Sequence, residues 1–259
     1  MFSLQGRTAV ITGSTSGIGE AVAARFVAAG ARVVIVGRRD AGDVARRVGA
    51  VAAVRADCSR EAEVARALRE AREALAADFD VLVNNAGIEN TGPMIGEATG
   101  EELERIFQIN TFAVFHGLKH GQALLRDGAS VINTASIAAM LGVPGYSQYS
   151  ASKAAVLSFT RSAAVELAPR GIRVNAVCPG SVFTPMLPHD HPEVPLTTRM
   201  CPLGRVGTTD DVVGVYHFLA APESAYVTGQ AIAVDGGMLA GVSLGTLEAV
   251  AAMAQADGP

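Results

Sequence analysis

The sequence predicts an α/β fold: a doubly wound, seven-stranded parallel sheet with helices on both faces. Three observations carry this. Seven short, β-branched runs recur along the 259 residues, and they are continuously apolar rather than alternating. Strands buried on both faces read that way, because neither side of the sheet meets water. Longer segments with helical spacing separate the runs, and strand-helix alternation implies parallel crossovers. A glycine-rich turn follows the first run directly and opens a helix, which is where such sheets receive phosphate.

The elements follow in order. The runs are "TAVIT" (8–12), "RVVIV" (32–36), "AVAAVRA" (50–56), "DVLVN" (80–84), "ASVINTA" (129–135), "IRVNAV" (172–177) and "QAIAVD" (230–235). Segment 59–77 reads as an amphipathic helix, with Val64, Leu68 and Leu75 as a stripe among Glu and Arg. Stretch 180–207 holds five prolines without a clear period and reads as a long loop, a lid over a binding site. Residues 246–256, "TLEAVAAMAQA", read as a short helix within an extra tail, 246–259. No linker or composition shift splits the chain, so residues 1–259 are expected to form a single dinucleotide-binding and catalytic domain.

Bulk properties exclude several function classes. A chain that is 49% hydrophobic and 18% charged suits a packed core rather than disorder. Its net charge of −4, with no basic run, argues against nucleic acid as a partner. No apolar run approaches the ~20 residues of a membrane span, so no membrane partner is expected. The opening "MFSLQGRTAVITG" has polar residues where a signal peptide would be apolar. Cys58, Cys178 and Cys201 make an odd count without CxxC spacing, which fits buried thiols in a reducing, cytoplasmic setting.

The turn "TGSTSGIG" runs from Thr12 to Gly19. Gly13 permits the sharp turn, Gly17 and Gly19 allow backbone to approach a pyrophosphate, and the helix terminus adds positive potential. Further on, "YSASK" sets Tyr149 and Lys153 one helical turn apart, on one face. A phenol with a pKa of ~10 and an amine of ~10.4 are poor bases alone. Together, the ammonium favours the phenolate and lowers the tyrosine's pKa. With "NNAG" (Asn84 to Gly87) after the fourth run and Ser136 thirteen residues before Tyr149, these motifs resemble the short-chain dehydrogenase/reductase family. "FQINTF" around Asn110, "PGSVFTPM" (179–186), "PLGRVG" (202–207) and "VTGQAIAVDGG" (227–237) match as well, and the resemblance runs from about Gly6 to Gly237.

The resemblance implies a Rossmann-type fold and an NAD(P)-dependent enzyme acting on CH–OH or C=O groups. Tyr149 is then the general acid/base toward the substrate oxygen, and Lys153 lowers its pKa and holds the nicotinamide ribose. Ser136 hydrogen-bonds the substrate oxygen, and Asn110 holds a water linking Lys153 to solvent. A carbonyl that accepts hydride becomes an oxyanion needing donors and a proton, which Ser136 and Tyr149 supply. The cofactor site falls to Gly13, Ser14, Thr15, Ser16, Gly17, Ile18 and Gly19, with Asp57 and Cys58 at the adenine. Asn84, Ala86 and Gly87 line the adenosine ribose region, and Pro179, Gly180, Val182 and Thr184 follow the sixth strand. The family also implies a homotetramer, paired through long helices at about 100–126 and 148–168 and through the last strand. The tail 246–259 is expected to pack on a neighbouring subunit or border the pocket.

Cofactor choice turns on the end of the second strand. Gly37 stands where NAD-preferring relatives carry an acid, and Arg38 and Arg39 follow, where a 2′-phosphate would be met. Ser16 lacks the second basic residue of many NADP users. NADP(H) is the expected cofactor, and NAD(H) the alternative. On family analogy the substrate pocket comprises Ile137, Ala138, Met140, Leu141, Val143, Tyr146, Met186 and Leu187. That lining suits a medium-sized, mostly apolar ketone or secondary alcohol. Two further readings compete. Tyr146 lies seven residues before Lys153, the spacing of the family's enoyl reductases. A nucleotide-binding sensor without catalysis would keep the glycines but could dispense with Ser136, Tyr149 or Lys153. "HDHPE" (189–193) resembles a metal-ligand cluster, but it lacks a fixed fourth ligand and no metal is expected.

Overall fold

A computed structural model describes residues 2–89 and 92–256. Its seven strands are β1 (Thr8–Thr12), β2 (Arg32–Gly37), β3 (Ala52–Arg55), β4 (Phe79–Asn84), β5 (Leu125–Thr134), β6 (Arg173–Pro179) and β7 (Ala231–Val234). All neighbours pair in parallel, in the order β3-β2-β1-β4-β5-β6-β7. Alternate residues of each central strand enter two separate cores. Val10, Val34 and Val36 face one, while Ala9, Ile11, Val33 and Ile35 face the other. Both faces are dry, which is why the runs do not alternate.

Helices α1 (Gly17–Ala28), α2 (Gly42–Val48) and α8 (Thr209–Ala220) cover one face, packing Phe26 and Tyr216 against it. Helices α3 (Glu61–Leu75), α5 (Ala113–Gly121) and α6 (Ser147–Leu167) cover the other. In α3 the buried residues are Val64, Ala67, Leu68, Ala71 and Leu75, a single stripe at helical spacing.

Three expectations are corrected. The helix expected over 100–126 is not uniform: α4 (Gly100–Phe107) passes through a π-turn at Gln108–Phe112 into α5. Such turns insert one extra residue per hydrogen bond and cluster at functional sites; Asn110 sits inside this one. Stretch 180–207 is not all loop, because Pro195 occupies the first turn of a short helix, α7 (Val194–Met200), where its missing N–H costs nothing. The fifth strand starts earlier than expected, at Leu125, which pairs with Phe79 before the register shifts. Beyond β7, α9 (Leu244–Ala256) lies against α7. Residues 257–259 of the expected tail lie outside the described residues.

Candidate active site

The strand order reverses between β1 and β4, so the chain leaves these two strands in opposite directions and a crevice opens at their carboxyl ends. A cleft of about 830 Å³ fills it, bounded by the loops after β1, β2, β4, β5 and β6. Thr12 and Asn85 hold the glycine turn in place. Thr12 Oγ1 accepts from the amides of Asn85 and Ala86 at 3.0 and 3.2 Å. The Asn85 side-chain amide donates to the carbonyls of Thr12 and Gly13 at 3.2 and 3.0 Å. Gly13 has φ +64, and a Cβ there would stand 2.6 Å from Ala86 Cα. A Cβ at Gly19 would collide with the Asn85 amide and the Gly13 carbonyl. The spacing G-x-x-x-G-x-G thus lets two loops touch backbone to backbone. Ser16 caps α1 without a side-chain hydrogen bond, and Gly17 and Ile18 open the helix toward the cleft. Uncapped first-turn amides are a cradle for phosphate, so the residues present fit a dinucleotide.

At one end of the cleft lie Arg38, Arg39, Asp57 and Cys58. Both guanidiniums are exposed, and among the described residues neither has a carboxylate within ion-pair distance. Gly37 faces Thr15 so closely that a Cβ would overlap the Thr15 methyl. An acid at position 37 would therefore require Thr15 to move. Asp57 accepts from the Ser59 amide and hydroxyl at 3.0 and 2.8 Å. Burial works against its ionisation, but these bonds and the nearby Arg38 hold its carboxyl below the usual range. Burial raises the Cys58 thiol to about 12, so it is inert as a nucleophile.

The reaction centre occupies the middle. Tyr149 and Lys153 rise from α6 on one face, with the Lys153 ammonium 5.8 Å from the Tyr149 ring centre. Lys153 Nζ donates to the Thr134 carbonyl at 3.1 Å. Ser136 follows β5 by two residues, accepts from the Ala138 amide at 3.1 Å and stands beside the Tyr149 phenol. Gly87 lies between Asn110 and Lys153, where a Cβ would meet Asn110 Oδ1 and Lys153 Nζ, each at 3.2 Å. The electrostatics differ from expectation. Burial pushes the Tyr149 phenol upward, opposed mainly by Ser136, and Lys153 does not reverse it. Burial also lowers the Lys153 ammonium to about 8. Desolvation thus outweighs the mutual help that the spacing promised. Tyr149 is held as a proton donor at neutral pH.

Five expected residues lie away from the cleft surface. Asn84, on the central strand, points into the core: its amide donates to Asn133 Oδ1 at 2.9 Å, and Asn133 donates to Thr160 Oγ1 at 2.9 Å. It bolts β4 and β5 to α6, and the cleft residue of the pair is Asn85. Ser14 is fully buried, donating to the Ile11 carbonyl at 2.6 Å and accepting from the Val36 amide at 3.1 Å. Asn110 is also fully buried. It accepts from the Ile88 amide at 2.8 Å and returns a bond to the Ile88 carbonyl at 2.9 Å, so its side chain braces the loop after β4. Met140 turns outward and is exposed. Gly19 supports the turn from behind rather than lining it. Ile137, Ala138, Leu141, Val143, Tyr146, Met186 and Leu187 do line the cleft, as do Thr15, Pro179, Gly180, Val182 and Thr184.

Sequence reasoning missed Glu89, Glu193 and Met238, which also line it. Met238 comes from the turn after β7, which only the folded sheet brings across. Tyr146 donates to Glu193 Oε2 at 2.7 Å. Among the described residues, no group of three or more His, Cys, Asp or Glu side chains is placed to hold a metal.

The comparisons with known proteins agree with this geometry. A family model described as enoyl-(acyl carrier protein) reductase matches residues 13–239. The uncharacterized oxidoreductase YhdF of Bacillus subtilis is 37% identical over 243 residues, 90% of this chain and 84% of that one. A short-chain dehydrogenase of Burkholderia cenocepacia, solved in complex with NADP, superposes with a TM-score of 0.85 at 33% identity, covering 91% of this chain and 99% of that one. A blue fluorescent protein from a metagenomic library, solved in complex with NADPH, gives 0.86 at 38% identity, with 91% and 99% covered. A glycine turn at the switch point, a Tyr-Lys pair on α6 and relatives spanning nearly the whole chain lead to one conclusion: this chain belongs to the short-chain dehydrogenase/reductase family, and is an NAD(P)-dependent oxidoreductase.

Proposed function

We propose that the protein interconverts a ketone and a secondary alcohol with NADP(H), on a medium-sized, mostly apolar substrate. The observation that carries this is the arrangement of Ser136, Tyr149 and Lys153 at the floor of an apolar half-cleft. The cofactor, when bound, supplies or accepts the hydride. The chain's own residues do the rest. Ser136 and Tyr149 present two hydroxyls to one substrate oxygen, and Tyr149 gives or takes its proton. Lys153, anchored on the Thr134 carbonyl, lies where a ribose hydroxyl would meet it. Ile137, Leu141, Val143 and Met186 exclude water and hold the apolar body of the substrate.

The family model's description and the Tyr146 spacing favour a second reading, enoyl reduction. Against it, the Tyr146 hydroxyl is committed to Glu193, and burial together with that carboxylate raises its pKa far above the ordinary value. Tyr149, beside Ser136, is the better donor.

NADP(H) is favoured over NAD(H) by two exposed guanidiniums at the adenosine end, without an ion pair among the described residues, and by the Thr15 methyl that an acid at position 37 would have to displace. The solved NADP and NADPH complexes of relatives support the same choice. A contact from Arg38 to a 2′-phosphate is worth roughly 1.5–3 kcal/mol, a ten- to hundredfold preference. A ketone panel assayed with both cofactors tests the reading. The wild type is expected to show the higher kcat/KM with NADPH, and Arg38→Leu to erase that advantage. NADH preference in the wild type, unaltered by Arg38→Leu, would refute the cofactor assignment.

We place the enzyme in the cytoplasm as a homotetramer. Among the described residues, no helix is long and apolar enough to cross a membrane, and all three cysteines are free and buried. The outward faces of α4, α5 and α6 expose Leu103, Phe112, Phe115 and Val165, surfaces suited to helix pairing between subunits.

A further inference from the structure

The substrate half of the cleft is apolar except at one wall. There Glu89, from the loop after β4, and Glu193, from the lid just before α7, flank Tyr146. Tyr146 donates to Glu193 at 2.7 Å, and Glu89 lies within electrostatic reach of both. A phenol has a single hydrogen. It satisfies one carboxylate, and the other faces the cleft without that donor. Burial, with Glu193 beside it, raises the Glu89 carboxyl above the ordinary glutamate range. Among the described residues no cation pairs with either acid within 4.0 Å. The basic side chains within electrostatic reach are His191 and Lys153. Lys153 is anchored on Thr134, and His191 Nδ1 accepts from the Glu193 amide at 3.3 Å. Two partly buried acids side by side on one cleft wall are costly unless a partner arrives.

The wall belongs to the reaction cleft itself. The Tyr146 and Tyr149 rings meet edge to face at 6.1 Å, and both acids line the cleft that the proton donor enters. We infer that Glu89 and Glu193, flanking Tyr146, are specificity-determining residues that select a substrate carrying a protonated amine at the end away from its carbonyl. An ammonium offers both charge and hydrogens to acceptors that lack them. A polyol would also donate, but its remaining hydroxyls would lie against Ile88, Leu141, Val143, Leu196 and Met200. One polar end and an apolar body match this lining.

The inference rests on the ketone reading, and the experiment separates the two. The probes are phenyl ketones whose alkyl arm ends in a dimethylamino group, and isosteres ending in an isopropyl group, at several arm lengths. Reduction by NADPH is measured for the wild type, Glu193→Gln and the Glu89→Gln/Glu193→Gln pair. At the best arm length the wild type is expected to favour the amine by about tenfold or more in kcat/KM, chiefly through KM. That ratio should fall in Glu193→Gln and approach one in the double variant. Turnover of the isopropyl ketone with no preference for the amine, or a preference that survives the double variant, would overturn the inference while leaving the ketone reading intact. If neither ketone is reduced, the ketone reading fails. Calorimetric titration of the dimethylamino ketone into NADP-loaded wild type and double variant then decides: binding weakened at least about tenfold by the double substitution supports the acid wall, and equal binding removes it.

Discussion

If Lys153 acts as proposed, its charge sets the alkaline limit of the chemistry. Its ammonium is lowered to about 8 because burial penalises the charge, while the Tyr149 phenol is raised by the same burial. The two therefore do not titrate together. Below pH 8 Lys153 is charged and Tyr149 holds its proton, which is the state that carbonyl reduction needs. As pH rises through 8, the ammonium is lost first, and with it the grip on the ribose and the positive charge near the developing oxyanion. A pH profile of NADPH-dependent reduction should fall to about half its plateau near pH 8 and continue to decline above it, with the loss visible in the KM for cofactor as well as in kcat. A profile that climbs through pH 8 to 10 would mean that Lys153 stays charged or is not required. That Tyr149, Lys153 and Ser136 would meet in one cleft was legible in the sequence, because residue type and spacing survive without coordinates. Glu89 and Glu193 were not legible, since each is an ordinary surface-type acid until β4 and the lid bring them to one phenol. Asn84 misled for the opposite reason: two adjacent asparagines leave β4, and only the pleat decides that Asn84 points to Asn133 while Asn85 reaches the cleft.

At the scale of elements, the strands were readable because burial on both faces leaves a continuous apolar run, and their ends were blurred because capping backbone bonds carry no side-chain signature. The π-turn around Asn110 was invisible for the same reason, as its residues are compatible with a plain helix. The loop after β1 is the element on which most depends, because Gly13 meets the Ala86 backbone directly and the Asn85 side-chain amide bonds its carbonyl. Gly13→Ala forces a left-handed φ on a residue with a Cβ, costing about 1–2 kcal/mol, and drives that Cβ into the Ala86 backbone, costing about 1–3 kcal/mol more. The variant should unfold about 2–5 kcal/mol more easily in urea and lose most of its cofactor affinity. Native stability with native NADPH binding would show that the two loops are not in contact.

At the scale of the whole molecule, the lid and the tail form one unit. The Ser243 hydroxyl and, at 3.4 Å, the Thr246 hydroxyl both donate to the Arg199 carbonyl at the end of α7. The far side of α9 leaves Leu244, Leu247, Val250 and Met253 exposed, a surface that a neighbouring subunit would cover. Light scattering should report a tetramer. Truncation after Gly241 should weaken that assembly and raise the KM for the ketone, through the loosened lid; a monomeric wild type, or a truncation with unchanged mass and kinetics, would refute this. All of these claims presuppose that Tyr149, and not Tyr146, moves the proton. The most direct test compares NADPH-dependent ketone reduction by Tyr149→Phe and Tyr146→Phe, with cofactor affinity measured in both. Tyr149→Phe should retain NADPH binding and lose at least about a hundredfold in kcat, whereas Tyr146→Phe should change mainly the KM for the ketone. Near-normal kcat in Tyr149→Phe, with the large loss falling on Tyr146→Phe, would contradict the account.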